Sequence, residues 1–166
     1  MNNLKKDSSK KGFTIIEVVL VLAIAGLIFL MVFIALPALQ RNQRDSQRKN
    51  DMGRLSSQLV NYTSSNRGSL PTNYTAFVNQ YLIAGGDSFI DPAGATSVQG
   101  ASQLTYVMTL KDSSELTSTY ALSQNIIYYT PSYVCGDSSS TVKAGGSRTV
   151  AFRMVLESGG VSCVNN

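Results

Sequence analysis

The sequence contains no histidine and no tryptophan, only two cysteines, and few charged residues, which make up 14% of the chain. Without histidine, neither a Ser-His-Asp triad nor a Cys-His pair can form. Two cysteines alone do not complete a tetrahedral zinc site, and the GxxxxGK spacing of a phosphate-binding loop is missing. We therefore expect a protein that is not an enzyme and that uses no metal or other cofactor.

Charge is distributed unevenly along the chain. Residues 1–12 carry a net charge of +3, and residues 41–54 carry another +3. Residues 68–166, by contrast, carry a net charge of −2. A nucleic-acid-binding domain usually presents a concentrated basic surface, so the distal part of the chain does not fit that class.

The chain does contain one long apolar run. The nineteen residues from Val18 to Leu36 include no charged side chain. As a helix they extend about 28 Å, close to the hydrocarbon thickness of a bilayer. Pro37 follows and is expected to kink or loosen the helix. Glu17 stands at the start of this run, where a carboxylate is costly unless something pairs with it. Glu17 is therefore a candidate functional residue.

Two general interpretations apply to the N-terminal segment. A secretory signal peptide cleaved after Ala25 would leave the stretch GLIFLMVFIAL at a free terminus in water, and that much exposed apolar surface is an aggregation or membrane signal. A plain single-span anchor is the second interpretation. Lysines precede the span and arginines follow it closely, so the positive-inside rule does not decide its orientation.

A third interpretation uses residues 12–17. Gly12 ends a short basic leader and is followed without a gap by Phe13, Thr14, two isoleucines and Glu17. Together with the apolar run, this segment resembles the class III signal of type IV pilins and pseudopilins. The resemblance implies that prepilin peptidase cuts between Gly12 and Phe13, and that the new N-terminal Phe13 is methylated.

The same resemblance implies a role for Glu17 in assembly. After cleavage Phe13 has a cationic amine, and in the family the glutamate of an incoming subunit pairs with the N-terminal amine of a neighbour. Two charges that are costly alone in an apolar core offset each other when paired. The alternative is a Glu17 that is merely solvated at headgroup depth.

Beyond the apolar run, the pattern predicts that the helix continues over residues 40–62. Met52, Leu55, Leu59 and Tyr62 form one apolar stripe suited to packing on a sheet. The charges of this stretch are interpreted mainly as a solvated face, with specific bridges between subunits as the alternative. The helix is expected to end near residues 64–66.

The remainder predicts a small head with one core. A short helix is expected near residues 74–82. Period-2 alternation predicts strands at residues 104–110 and 150–156, and richness in Ile and Tyr predicts one at residues 120–130. The pair Gly159-Gly160 allows a two-residue hairpin turn into a strand at residues 161–164. The fold class is therefore α+β, with a long N-terminal helix, transmembrane in its first half, packed on an antiparallel sheet of three or four strands. The predicted segments are a cleaved leader (1–12), an apolar transmembrane or filament-core helix (13–39), its polar continuation (40–67) and a globular head (68–166).

Cys135 and Cys163 would close a loop of 29 residues if they form a disulfide. Chain entropy gives such a loop about 3–4 kcal/mol of stabilisation. An exported domain favours the bond, and many type IV pilins have one disulfide in this region. Two buried free thiols are the alternative.

The leading hypothesis is a structural subunit of a type IV pilus, serving adhesion, twitching motility or DNA uptake. Its expected partners are identical or related pilin subunits, prepilin peptidase, a membrane assembly platform and the bilayer, with DNA or a host surface as further candidates. The precursor would be a single-pass membrane protein, and the mature chain would lie in an extracellular filament. The alternatives are a minor pilin or type II secretion pseudopilin and, from another class, an anchored binding protein or adhesin that does not polymerise.

Overall fold

The computed structural model describes residues 12–86, 88–93, 106–117 and 125–166. The chain divides into two compact units, Met1–Leu39 and Gln40–Asn166. The parts of the expected strands at residues 104–105 and 120–124 lie outside the described residues. The elements in chain order are α1 (Ile15–Ser65), α2 (Tyr74–Val78), a π-helical turn (Asn79–Ile83), β1 (Val107–Leu110), β2 (Ile126–Pro131), β3 (Tyr133–Cys135), β4 (Val142–Ala144), β5 (Val150–Val155) and β6 (Val161–Asn165).

The long helix α1 belongs to both units, because its residues run through the boundary after Leu39. Pro37 lies inside α1 and does not end it, although it cannot donate a backbone hydrogen bond. The helix ends at Ser65, as the sequence predicts. Gly68 follows in the left-handed region, with φ of 82°, and its N–H donates to the carbonyl of Thr63 at 2.7 Å. This hydrogen bond closes the C-terminal end of the helix.

A four-stranded sheet forms the centre of the second unit, with the strand order β1-β2-β5-β6. Strands β2 and β5 are antiparallel, with Tyr129 opposite Phe152. Strands β5 and β6 are also antiparallel, with Arg153 opposite Cys163. Strands β3 and β4 form a separate antiparallel hairpin. The α+β class, with a long N-terminal helix before a C-terminal sheet, is confirmed.

One strand pair differs from the expected antiparallel arrangement. Strand β1 pairs with β2 in parallel, with Val107 opposite Ile126. Fifteen residues separate Leu110 from Ile126, which is enough for the crossover of about a dozen residues that a parallel pair needs. Alternating side chains predict that a segment is a strand, but they do not give its direction. The antiparallel expectation therefore holds for β2, β5 and β6 and is wrong for β1.

The hydrophobic core of the second unit lies between α1 and the sheet. Met52, Leu55 and Leu59 are 0% exposed and cluster with sheet residues that include Ile127 and Phe152. Tyr62 packs against the same cluster. The apolar stripe predicted from the 3.6-residue period is therefore confirmed. It positions the second half of α1 so that its remaining faces carry the polar groups described below.

The central strand β5 is buried along its whole length. Arg153 on this strand is 0% exposed, and burial lowers the pKa of its guanidinium. That group donates to the carbonyl oxygens of Asp112, Ser114 and Ser140 at 2.9, 2.8 and 3.0 Å. These bonds hold two loops, one after β1 and one after β3, against the same strand.

Candidate functional site

The predicted scissile bond between Gly12 and Phe13 lies outside the helix. Residues 12–14 precede α1 and are exposed, and the Phe13 side chain is 90% exposed. Among the described residues, no atom lies within 4 Å of a Cβ atom placed on Gly12. The described part of the fold therefore does not require glycine at position 12.

Thr14 and Glu17 form a capping box at the start of α1. The backbone N–H and the hydroxyl of Thr14 both donate to Oε2 of Glu17, at 2.9 and 2.8 Å. In return, the N–H of Glu17 donates to Oγ1 of Thr14 at 3.4 Å. The T-x-x-E spacing is the sequence signal for this cap, and it gives Glu17 a second role besides the expected ion pair.

The carboxylate of Glu17 is only partly used by this cap. Both donors of Thr14 bind the same oxygen, Oε2. Within the described part of the chain, no hydrogen bond reaches Oε1. A carboxylate can accept several hydrogen bonds, so Glu17 can keep its cap and still accept a donor from another molecule.

The first unit has an uncovered apolar surface around this site. Ile16, Met31 and Phe33, for example, are 70–72% exposed. Helix α1 is long and apolar enough to cross a bilayer: its most apolar 18-residue window has a mean hydropathy of 3.2, and 0% of that window is buried. An apolar surface of this extent marks a membrane or protein interaction site.

A second group of polar residues is buried in the unit Gln40–Asn166. Arg48 is 0% exposed. Its guanidinium donates to both oxygens of Asp91, at 3.0 and 2.8 Å, and to Asp45 at 2.9 Å. Glu157 lies 3.6 Å from Arg48 and accepts from Arg44 at 2.6 Å. We call Arg44, Asp45, Arg48, Asp91 and Glu157 the Arg48 cluster.

The Arg48 cluster fastens α1 to two loops. Asp45 accepts the backbone N–H groups of Glu157 and Ser158, at 2.9 and 2.8 Å, which fixes the turn between β5 and β6. Burial alone would lower the pKa of Arg48, but the hydrogen bond to Asp91 raises it above its ordinary value. The expectation of a solvated charged face is wrong for Asp45 and Arg48, because both are buried and, besides each other, bind groups from distant parts of the chain.

Asp51, another carboxylate in the second half of α1, is also buried. Asp51 is 2% exposed and accepts from the hydroxyl of Tyr106 at 2.8 Å and from Arg54 at 2.7 Å. Burial and the Asp51 carboxylate raise the pKa of Tyr106. The expectation of a solvated face is therefore wrong for Asp51 as well. Both carboxylates in the second half of α1 point towards partners in their own unit.

Cys135 and Cys163 form a disulfide. Cys135 lies in β3 and Cys163 in β6, so the bond ties the β3–β4 hairpin to an outer strand of the four-stranded sheet. The alternative of two free thiols does not apply. Within the described residues, no group of three or more acidic, histidine or cysteine side chains could hold a metal ion.

Comparison with known proteins identifies the N-terminal segment. The family model described as the prokaryotic N-terminal methylation motif matches residues 7–33. The match includes Gly12, Phe13 and Glu17 and extends into the apolar part of α1. No curated protein and no solved structure matches the chain. The signal and the one apolar N-terminal helix indicate a membrane-anchored precursor. The chain therefore has the class III signal of type IV pilin-like proteins.

Proposed function

We propose that this chain is a structural, non-enzymatic subunit of a type IV pilus filament. The observation that carries the proposal is the methylation motif at residues 7–33 next to an apolar helical surface that the chain leaves uncovered. A bilayer covers this surface in the stored precursor. Packing against the same helices of neighbouring subunits covers it in the filament.

Prepilin peptidase cuts this precursor between Gly12 and Phe13. The exposure of Phe13 and the position of both residues before α1 support access to this bond. Helical backbone would first have to unwind in a protease site, whereas residues 12–14 are already outside the helix. Methylation then falls on the amine of Phe13, which cleavage creates.

Glu17 of an incoming subunit pairs with the Phe13 amine of a neighbour. The support from the structure is the geometry of the capping box, which occupies Oε2 and leaves Oε1 without a hydrogen bond in the described part of the chain. Burial in an apolar filament core would strongly disfavour either charge alone. Pairing lets both charges enter the core together.

The head lies outside the cytosol in this proposal. Disulfides persist in oxidising compartments and are rare in the cytosol, and the Cys135–Cys163 bond therefore supports an exported head. The filament would place this head on the cell surface. Adhesion, motility and DNA uptake are all tasks that such a filament can serve.

A minor pilin or a type II secretion pseudopilin would share every feature above. The copy number of this chain in purified filaments separates these alternatives, because a main subunit makes up most of the mass. A monomeric anchored adhesin would also have one span and a folded head. That alternative predicts no filament containing this chain after membranes are sheared.

The test of the proposed function is the N-terminus of the chain in sheared surface material. Intact-mass analysis should show a chain that starts at Phe13 and is heavier by one methyl group. Gly12→Glu should abolish processing, while Gly26→Ala should be processed normally. Neither position is crowded by other atoms of the described chain, so neither change should disturb the fold. A surface chain that begins at Met1 or Gly26 would contradict the proposal.

A further inference from the structure

An open groove runs along the outward side of α1 in the second unit. It has a volume of about 530 Å³ and is lined by Lys49, Asn50, Gly53, Arg54, Ser57 and Gln58. All six residues lie on α1, so the groove is a furrow in the surface of one helix. Gly53 lies in this furrow, between the side chains of Lys49 and Ser57 along the helix.

Gly53 has no evident use in the isolated chain. It lies in the helix interior, where glycine is less stable than alanine because of its backbone freedom. Within the described part of the chain, a Cβ atom at Gly53 would meet no other atom within 4 Å. No turn, close contact or left-handed backbone angle requires glycine there. A bare position in an exposed helix is explained if another molecule approaches the backbone at that point.

The charges of the groove are positive. Lys49 is exposed and forms no ion pair within the described part of the chain. The side chain of Arg54 is 39% exposed, although Asp51 binds it at 2.7 Å. The two carboxylates of this stretch, Asp45 and Asp51, are turned into the unit and are 3% and 2% exposed. An approaching molecule therefore meets cations at the groove and no exposed carboxylate from this stretch of α1.

Among the described residues of this unit, the exposed carboxylates lie on two other loops. Asp112, Glu115 and Asp137 are exposed there, and we call the segments 112–115 and 137–140 the acidic loops. The N–H of Leu116 donates to the carbonyl of Ser140 at 2.9 Å, and the Ser140 hydroxyl donates to Glu115 at 2.8 Å. Hydrogen bonds and the guanidinium of Arg153 thus join both loops into one surface.

The exposed face of the acidic loops is negative despite two neighbouring lysines and the buried Arg153. Lys111 contacts Asp112 at 3.1 Å, and Lys143 lies 3.8 Å from Asp137. Bonds from Ser114 and then Lys111 hold the pKa of Asp112 at about 2, so it stays ionised. Exposed pairs of this kind are weak. Three carboxylates lie here against three cations, but Arg153 is 0% exposed and the Lys111 side chain is 17% exposed. The exposed charges of this surface are therefore the three carboxylates and Lys143.

We propose that the acidic loops of one copy of this chain dock in the Gly53 groove of a second copy. The inference rests on the proposed function and adds a subunit contact to it. Two different surfaces of the same chain meet in this contact, and such a head-to-tail interface builds an open helical polymer when its rotation does not close. Charge complementarity selects the partner, and Gly53 provides the room.

The first experiment fills the groove. Gly53→Leu should not lower the thermal stability of the full chain in detergent, because leucine favours helix and the position is open. At equal membrane levels of subunit, the yield of sheared filaments should fall several-fold. Gln47→Leu is the matched control on another side of the helix and should give the wild-type yield. Wild-type yield from Gly53→Leu, or an equal loss from both variants, would overturn the proposal.

The second experiment reverses charges. Lys49→Glu and Glu115→Lys should each lower filament yield, and the double variant should recover much of the loss. Lys143→Glu changes the net charge by the same amount as Lys49→Glu, but it makes the acidic loops more negative, so it should not lower the yield. Losses that the double variant does not recover would refute this pairing.

These outcomes are separate from those of the proposed function. Wild-type filaments that contain processed chains support the proposed function whatever these variants do. If Lys49→Glu keeps normal filaments but loses binding of the full chain to anionic vesicles, the groove binds a lipid surface and the subunit contact is refuted.

A third experiment is cross-linking in cell membranes. There, chains that have cysteines at both positions 49 and 115 should cross-link into a ladder of multimers. Absence of that ladder would also refute the contact.

Discussion

The two halves of α1 differ in the burial and the hydrogen-bond partners of their acidic residues. In the second half, Asp45, Arg48 and Asp51 are buried, and each is bonded to groups of the same unit. In the first half, Glu17 is exposed among apolar side chains, and only Thr14 donates to it in the described part of the chain. In the unit Gln40–Asn166, most buried polar groups of the described residues have partners, the Tyr74 hydroxyl and Nε of Arg153 being exceptions, whereas the apolar helix Ile15–Leu39 does not cover its own surface.

This contrast separates stability from assembly. A buried charge that loses its partner destabilises the fold that contains it. An exposed charge with an unused acceptor oxygen can be changed with little effect on the isolated chain. Variants in the second half of α1 should therefore change the free energy of unfolding. Variants at Glu17 should change what the chain does with other molecules.

The largest expected effect is loss of filaments from Glu17→Val. Insertion into the membrane should be spared or favoured, because a costly carboxylate is removed. Cleavage after Gly12 should continue, since the bond that is cut lies four residues away. Assembly or methylation should fail, because the incoming Phe13 amine has no counter-charge in an apolar core. The measurement is the yield of sheared filaments at equal membrane levels of subunit.

Glu17→Gln is the matched variant, because it separates the capping role from the charge. Glutamine can take the place of glutamate in a capping box, so the start of α1 should be preserved. If ion pairing is what matters, Glu17→Gln should lose filaments almost as completely as Glu17→Val. Normal filaments from Glu17→Gln would show that the cap suffices, and normal filaments from both variants would refute the assembly role.

The next effect in size is expected from Arg48→Met. This change removes a buried cation from three carboxylates, those of Asp45, Asp91 and Glu157. Breaking a buried pair by removing one partner typically costs about 3–5 kcal/mol. The free energy of unfolding of the full chain in detergent should fall by about that amount. Denaturant titration followed by circular dichroism measures it.

Arg41→Met is the control for this prediction. Arg41 is exposed on the same helix, and substitution of an exposed residue usually changes stability by no more than about 0.5 kcal/mol. Equal losses from both variants would mean that the Arg48 cluster contributes nothing specific. Processing between Gly12 and Phe13 should remain normal in both.

The sequence predicted those features of the fold that depend on periodicity. Met52, Leu55 and Leu59 follow the spacing of one helical face, and they are the residues that pack on the sheet. The end of α1 near Ser65 was also predictable, because Gly68 and Pro71 stand just beyond it. These signals are local, so a single sequence contains them.

Other features depend on contacts between distant residues. Arg48 and Asp91 are 43 residues apart, and no spacing rule in the sequence shows that they will form a buried ion pair. The direction of β1 depends on a crossover, which alternation does not record. The candidate site divides in the same way: a fixed motif predicts Gly12, Phe13 and Glu17. The hydrogen bonds that leave Oε1 available follow only from three-dimensional geometry.

A smaller effect than that of Arg48→Met is expected from removing the disulfide. Replacing Cys135 and Cys163 together by serine should lower the free energy of unfolding by about 2–5 kcal/mol, with the lower part of that range expected because the sheet itself is retained. The loss should be confined to the second unit, so membrane insertion and processing should be normal. Thiol labelling of the unreduced wild-type chain should modify neither cysteine. Labelling of both residues in native material would contradict the bond.

The smallest effect is a dependence of stability on acid pH, which again should come from the second unit. The hydrogen bond from Arg44 holds the pKa of Glu157 below its ordinary value of 4.5. Burial opposes ionisation of Asp45, but the bonds from Ser158, Glu157 and Arg48 outweigh it and hold its pKa below 3.8. Folding lowers the pKa of both groups, so the native chain binds fewer protons than the unfolded chain in acid. The stability they contribute is fully present above pH 4.5 and is lost as the pH falls through the lowered native values.

Denaturant titrations of the full chain from neutral pH down to about pH 2 should show this decline. Glu157→Gln should make the decline shallower, because one titrating group is gone. A wild-type stability that stays level over this range, or that falls equally steeply in Glu157→Gln, would show that the Arg48 cluster does not link folding to protonation.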